Sequence, residues 1–443
     1  MLASQPVQSG AEMTIRQLWR ALRYGVDLHG RLALDVAIIT AGVVTIVLGG
    51  RGTVDIAGWL ISALGLVLFV RDLARRWRMY QDTKIFENEH YADVLAECAM
   101  PSTFQVCSGR MLGNMEVALA KSDLSLLSIT DSRPYITSDA VNKVLDGACN
   151  PLRFKPRRFR EPTRLQDYRA RSINYTRPHF NDKKIGLRTD PTVPALTGGH
   201  EIFLQHTDYV SSCATNELAC KKFVHVQEQS QGAPEFLAAV SEWVVVDGKL
   251  VDLATSELSN HIGVSTMVLS ADDMLVLQHQ GEQSVAANET AIGASGSLDK
   301  SDLADLPMQT LQALCRAGME REAAEELGAS FAAQHSGTVL TGYARYLARG
   351  GKPEFFGISR SSTLLTDMKP CADDSRYVSG IRGVEFTRTA DGLARAIEGL
   401  LTDQKERRSY SLSMIVCLRL AQAWIASAPD ETLEQIGVPR SRV

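Results

Sequence analysis

The chain has 443 residues, enough for two or three domains, each with its own core. Charged residues make up 22% and hydrophobic ones 45%, the proportions of an ordinary globular protein. The formal net charge of −4 excludes a generally basic surface, so no DNA or RNA polymer is expected as a partner and only local basic patches remain open.

In residues 1–31, Ile15, Leu18, Trp19, Leu22 and Val26 recur at helical spacing opposite Arg16, Arg20 and Arg23. This predicts an amphipathic helix, lying either on an anionic leaflet or against the soluble part of the chain. Two apolar runs follow, 32–48 and 54–70, each about the length that spans a thin hydrocarbon core. Gly49, Gly50 and Gly52 join them, so 32–70 is expected to form a two-helix transmembrane hairpin. Arginines 16, 20, 23 and 31 precede the hairpin and arginines 71, 75, 76 and 78 follow it, with only Arg51 between the spans. The positive-inside rule then places both termini in the cytoplasm. Eight scattered cysteines without a C-x-x-C pair agree with a reducing compartment.

Residues 71–190 read as a juxtamembrane region, helical up to about 150 and then basic. Between 153 and 188, twelve Lys or Arg stand against Glu161, Asp167 and Asp182, with Phe154, Phe159, Tyr168, Tyr175 and Phe180 interleaved. Arg157, Arg158 and Arg160 are candidates for gripping phosphates, and Phe159, Tyr168 and Tyr175 for stacking on bases. The same arginines would equally suit an anionic lipid surface or a solvated face.

Residues 191–390 change to short β-branched segments: 200–206, 242–246, 262–269 and 274–279, the last two joined by a turn at Asp272–Asp273. A glycine-rich loop is expected over 291–300. A helix is expected over 307–327, with Pro307 in its first turn and Gly328 past its end. Strands at 338–347 and around Phe355 follow, and 391–443 reads as a helical extension.

The end of the 307–327 helix reads Arg321-Glu322-Ala323-Ala324-Glu325-Glu326-Leu327-Gly328-Ala329. Spacings of three and four put Glu322, Glu325 and Glu326 near one helical face. Like charges so close call for a counter-charge; a hard divalent ion, Mg²⁺ or Mn²⁺, suits carboxylate ligands. Arg321 can orient one carboxylate by a bidentate pair.

This string resembles the second half of the Nudix box, G-x5-E-x7-R-E-U-x-E-E-x-G-U with U aliphatic. The first half departs: counting back from Arg321, its Glu falls on Ala313 and its Gly on Pro307, and the nearest plausible glycine is Gly296. With the transmembrane hairpin read from the apolar runs, the resemblance implies an α+β chain: the hairpin, then a cytosolic Nudix-like α/β/α sandwich with a mixed sheet and helical extensions. It makes Arg321, Glu322, Glu325 and Glu326 the candidate catalytic residues and the three glutamates the candidate metal ligands.

Hairpin and Nudix-like domain together are similar to the two-transmembrane Nudix effectors that accompany CD-NTases in bacterial antiphage signalling (CBASS). That similarity implies a homo-oligomer in the bacterial inner membrane. It would bind a cyclic di- or trinucleotide from a CD-NTase and then disrupt the bilayer. Asp35, a lone acid in a span, and Gly42, Gly58 and Gly65 suit helix–helix contact. The alternative is a membrane-tethered, Mg²⁺-dependent pyrophosphohydrolase of nucleoside diphosphate derivatives.

Overall fold

A computed structural model describes residues 83–97 and, with short interruptions, 135–440; of the first 82 residues it describes Val67 and Arg71. The predicted amphipathic segment, both apolar runs apart from Val67, and the turn between them therefore lie outside the described residues. Among the described residues, no helix is long and apolar enough to cross a membrane.

Two compact units are present. One includes, among the described residues, 83–85 with parts of 163–182 and 223–236. It holds the helices Thr163–Gln166 and Arg169–Thr176, with Leu165 and Ile173 buried. Tyr168, between the helices, is stacked on Phe223 with ring centroids 4.7 Å apart.

The other unit, 86–162 with 183–222 and 237–443, carries an eight-stranded mixed sheet. Its elements in chain order are β1 (Tyr135–Thr137), α1 (Asp139–Leu145), β2 (Leu152–Phe154), β3 (Lys183–Leu187), β4 (Ile202–Asp208), β5 (Gly263–Leu269), β6 (Met274–Gln280), β7 (Thr290–Ile292), β8 (Ala294–Ser297), α2 (Leu311–Leu327), β9 (Thr338–Tyr346), β10 (Lys352–Arg360), β11 (Val378–Glu385), α3 (Ala390–Thr402) and α4 (Leu412–Ser427). The main order is β7-β6-β5-β10-β9-β1, with β8 paired to β5 and β11 to β6.

The core of the sheet is the parallel pair β5–β10, running from Gly263↔Glu354 to Leu269↔Arg360. Every residue of β5 is buried, as a strand covered on both faces requires. Asp273, at φ 60°, makes the β5–β6 turn in the left-handed region that Asp tolerates.

On one face lies α2. Thr310 caps it by accepting from the Ala313 N–H at 3.2 Å, and Gly328, at φ 63°, ends it. The helix thus begins at Leu311, later than expected, and Pro307 lies outside the described residues. Ala323 and Leu327 pack with Val268 and Val276, and Met319 lies on Gly357, where an added Cβ would meet its sulfur at 2.6 Å.

On the other face lies α4, with the Cys417 thiol against the Gly357 carbonyl and Leu420 over Gly342. The segment expected as a C-terminal extension therefore supplies the second helical layer of an α/β/α sandwich. Three further expectations change. The stretch expected as helical linker contributes β1, which pairs with β9 at the sheet edge. Residues 242–246 are a short 3₁₀ turn, Val240–Trp243, followed by a two-residue strand. The expected loop over 291–300 holds strands β7 and β8.

A smaller sheet, β2-β4-β3, adjoins this core. Its strand β3 is tied to the core by Ile185 N–H to Leu298 O at 3.2 Å and Ile262 N–H to Ile185 O at 2.8 Å. Gly186 allows the approach, because a Cβ there would stand 2.5 Å from the Ser259 carbonyl oxygen.

Candidate functional site

The C-terminal half of α2 runs beside β8, and the box residues meet that strand. Glu322 Oε1 accepts from the Ser297 N–H at 3.1 Å. Its carboxylate lies on Gly296: a Cβ there would fall 2.0 Å from Oε1. Glu326 turns elsewhere, accepting from the Ser295 N–H at 2.9 Å and from Gln278 Nε2 at 2.7 Å. Small residues in β8 are the reason two carboxylates can reach its backbone.

Arg321 sits at the centre of the acidic group. Its Nε donates to Asp302 Oδ1 at 2.6 Å, its Nη1 to Glu325 at 2.9 Å, and its Nη2 to the Ser297 carbonyl at 2.9 Å. The same Nη2 is 2.9 Å from Glu322 Oε1 and 4.0 Å from Asp299 Oδ2. Glu325, 45% exposed, is the open edge of the group. Lys184, from β3, places Nζ 2.6 Å from Asp299 Oδ1. Burial pushes the Glu322 carboxyl above its usual range, while Arg321 and then Lys184 pull it back. Burial works against the Arg321 charge, but Glu322, Asp302 and Asp299 outweigh it, so its pKa lies above the ordinary arginine value.

Asp302 stands at a spacing that resembles the first half of the box. Five residues separate Gly296 from Asp302, the family's own G-x5-acid spacing, with Asp in place of Glu. Eighteen residues, Leu303 to Glu320, then stand where the family pattern has seven. Asp302, unlike Ala313, is an acid in contact with Arg321.

At these residues the chain resembles the Nudix box. Solved structures similar to the chain include a NUDIX hydrolase from Nitrosomonas europaea, 17% identical, covering 37% of this chain and 88% of its own, at a TM-score of 0.25. A MutT protein from Methanosarcina mazei Go1 is 13% identical over 38% of this chain and 92% of its own, at a TM-score of 0.23. No family model and no curated protein matches the chain.

A divalent ion would find the right donor chemistry here, since carboxylate oxygens suit Mg²⁺ or Mn²⁺. The placement does not suit it. Among the described residues no three acidic, imidazole or thiolate groups converge as a ligand set. Glu322 and Glu325 bind Arg321, while Glu326 binds Ser295 and Gln278. The counter-charge expected from a metal is supplied by Arg321 and Lys184.

The six candidate ligand residues divide between the two units. Phe159 and Tyr168 are 7% and 9% exposed and belong to cores, Phe159 with its N–H on the His206 carbonyl and Tyr168 on Phe223. Tyr175 is 46% exposed and lies, with Tyr168, in the other unit from Arg157, Arg158 and Arg160. Arg157 and Arg160 are exposed, and Arg158 is ion-paired with Asp208. The rings of Phe203 and His206, which the sequence reading did not single out, accompany this basic strip: Lys155 Nζ lies 4.7 Å from the Phe203 centroid, and Phe154 stacks on His206 at 4.5 Å.

Proposed function

We propose that the chain is a membrane-anchored effector of bacterial cyclic-nucleotide signalling, in which the Nudix-like domain binds the nucleotide without cleaving it. The supporting observation is Arg321: its guanidinium occupies the middle of the acidic group and engages the carboxylates a catalytic ion would need. The exposed basic strip at Arg157 and Arg160 offers charge to phosphates. In this reading a cyclic di- or trinucleotide drives the hairpins of a homo-oligomer together in the inner membrane.

The test uses full-length protein in detergent. Equilibrium dialysis with labelled cyclic di- and trinucleotides should show saturable binding, weakened at least tenfold by Arg157→Ala with Arg160→Ala. Chromatography should recover the ligand intact in Mg²⁺ or Mn²⁺. Turnover of a nucleoside diphosphate derivative, abolished by Glu325→Gln, would replace this reading by the pyrophosphohydrolase. Asp302, at the family's spacing from Gly296, is the observation that favours that second reading.

A further inference from the structure

Lys184 belongs to a strand of the smaller sheet, far in sequence from the box, yet its ammonium is among the box carboxylates. It is 7% exposed, and its Nζ lies 2.6 Å from Asp299 Oδ1. Its position is fixed from the backbone, by the bridge Lys184↔Asp299 and the neighbouring bond from Ile185 N–H to Leu298 O. An ammonium stays charged in such a place only when a carboxylate compensates it.

The second oxygen of Asp299 faces Arg321 Nη2, the nitrogen that also holds Glu322. Asp299 and Glu322 are therefore turned toward one point, with Lys184 behind Asp299. Four carboxylates surround Arg321: Asp299, Asp302, Glu322 and Glu325. Arg321 and Lys184 are the cations that oppose them. Without the lysine, that imbalance grows beside two hard oxygen donors, buried Glu322 and half-buried Asp299, the condition that attracts a divalent cation.

We infer that Lys184 is a built-in counter-cation that keeps divalent ions out of the acidic box, and that removing its charge uncovers a divalent site on Asp299 and Glu322. The inference rests on the reading that the box does not act through a metal.

The test is Mn²⁺ binding to full-length protein in detergent, followed by electron paramagnetic resonance without nucleotide. Lys184→Met, similar in length and uncharged, should bind Mn²⁺ at least about tenfold tighter than the parent, a modest effect for deleting one nearby unit charge. Its melting temperature should rise with Mn²⁺. Lys184→Arg should behave as the parent, and adding Asp299→Asn to Lys184→Met should remove the gained site. Equal Mn²⁺ affinity in parent and Lys184→Met overturns the inference, as does a gained site that survives Asp299→Asn. If Lys184→Met folds only with Mn²⁺, that rescue reports the same site; failure of rescue overturns it. Nucleotide turnover by the parent would instead sink the proposed function, so the two failures are read separately.

Discussion

His261 is 2% exposed, and its Nδ1 has no hydrogen-bond partner. Burial holds its pKa well below the ordinary histidine value, and Lys352, Lys184 and Arg349 push the same way. The Tyr209 ring, 6.3 Å away, adds no compensating charge. The folded-state pKa is depressed, so as pH falls the unfolded chain takes up the proton first. The associated stability is complete above the unfolded value of about 6.5 and is lost as pH falls below it. The melting temperature should therefore drop between pH 7.5 and 5.5, and His261→Gln should flatten that slope. A slope unchanged in His261→Gln would remove His261 as its source.

At the level of elements, α2 is held at both ends. Beyond its Thr310 cap, Gln312 exchanges two bonds with Asn150: Asn150 N–H to Gln312 Oε1 and Gln312 Nε2 to Asn150 Oδ1, both 3.2 Å. Asn150 Nδ2 in turn donates to the Ala195 and His200 carbonyls at 2.9 and 3.0 Å. A double-mutant cycle of Asn150→Ala and Gln312→Ala, read by denaturant unfolding, should show a coupling of about 1 kcal/mol for the buried side-chain pair. Additivity would mean the pair is incidental. This clamp was not legible in the sequence, because its halves lie 162 residues apart. The acidic end of α2 was legible, because i, i+3 and i, i+4 spacing fixes a helix face without tertiary information. Strands β7 and β8 were missed because Ala, Ser and Gly signal a loop. Pairing of β8 with β5 outweighs that weak propensity, and Gly296 is small because Glu322 lies on it. Asp302 was not singled out because counting back from Arg321 assumed the family's fixed spacing. Lys184 was read as one charge in a basic run, since its partner Asp299 comes from a distant segment.

For the molecule as a whole, the hairpin prediction rests on apolar length and arginine flanks alone. Deleting residues 1–80 should move the remainder from the membrane to the soluble fraction on ultracentrifugation. Full-length protein that is already soluble without detergent would contradict the anchor. The layered domain itself depends on distant segments. Strand β5 ends at Leu269, but its parallel partner β10 is complete only at Arg360. A chain emerging from the ribosome at ~5–20 residues per second leaves this edge of β5 open for several seconds before its parallel partner exists. Parallel pairing of this kind closes late, because its loop entropy must be met before its contacts form. Residues 32–70 will have left the ribosome long before that. If they engage the bilayer as they emerge, the domain completes its fold while already tethered, its unpaired strands confined to one membrane surface.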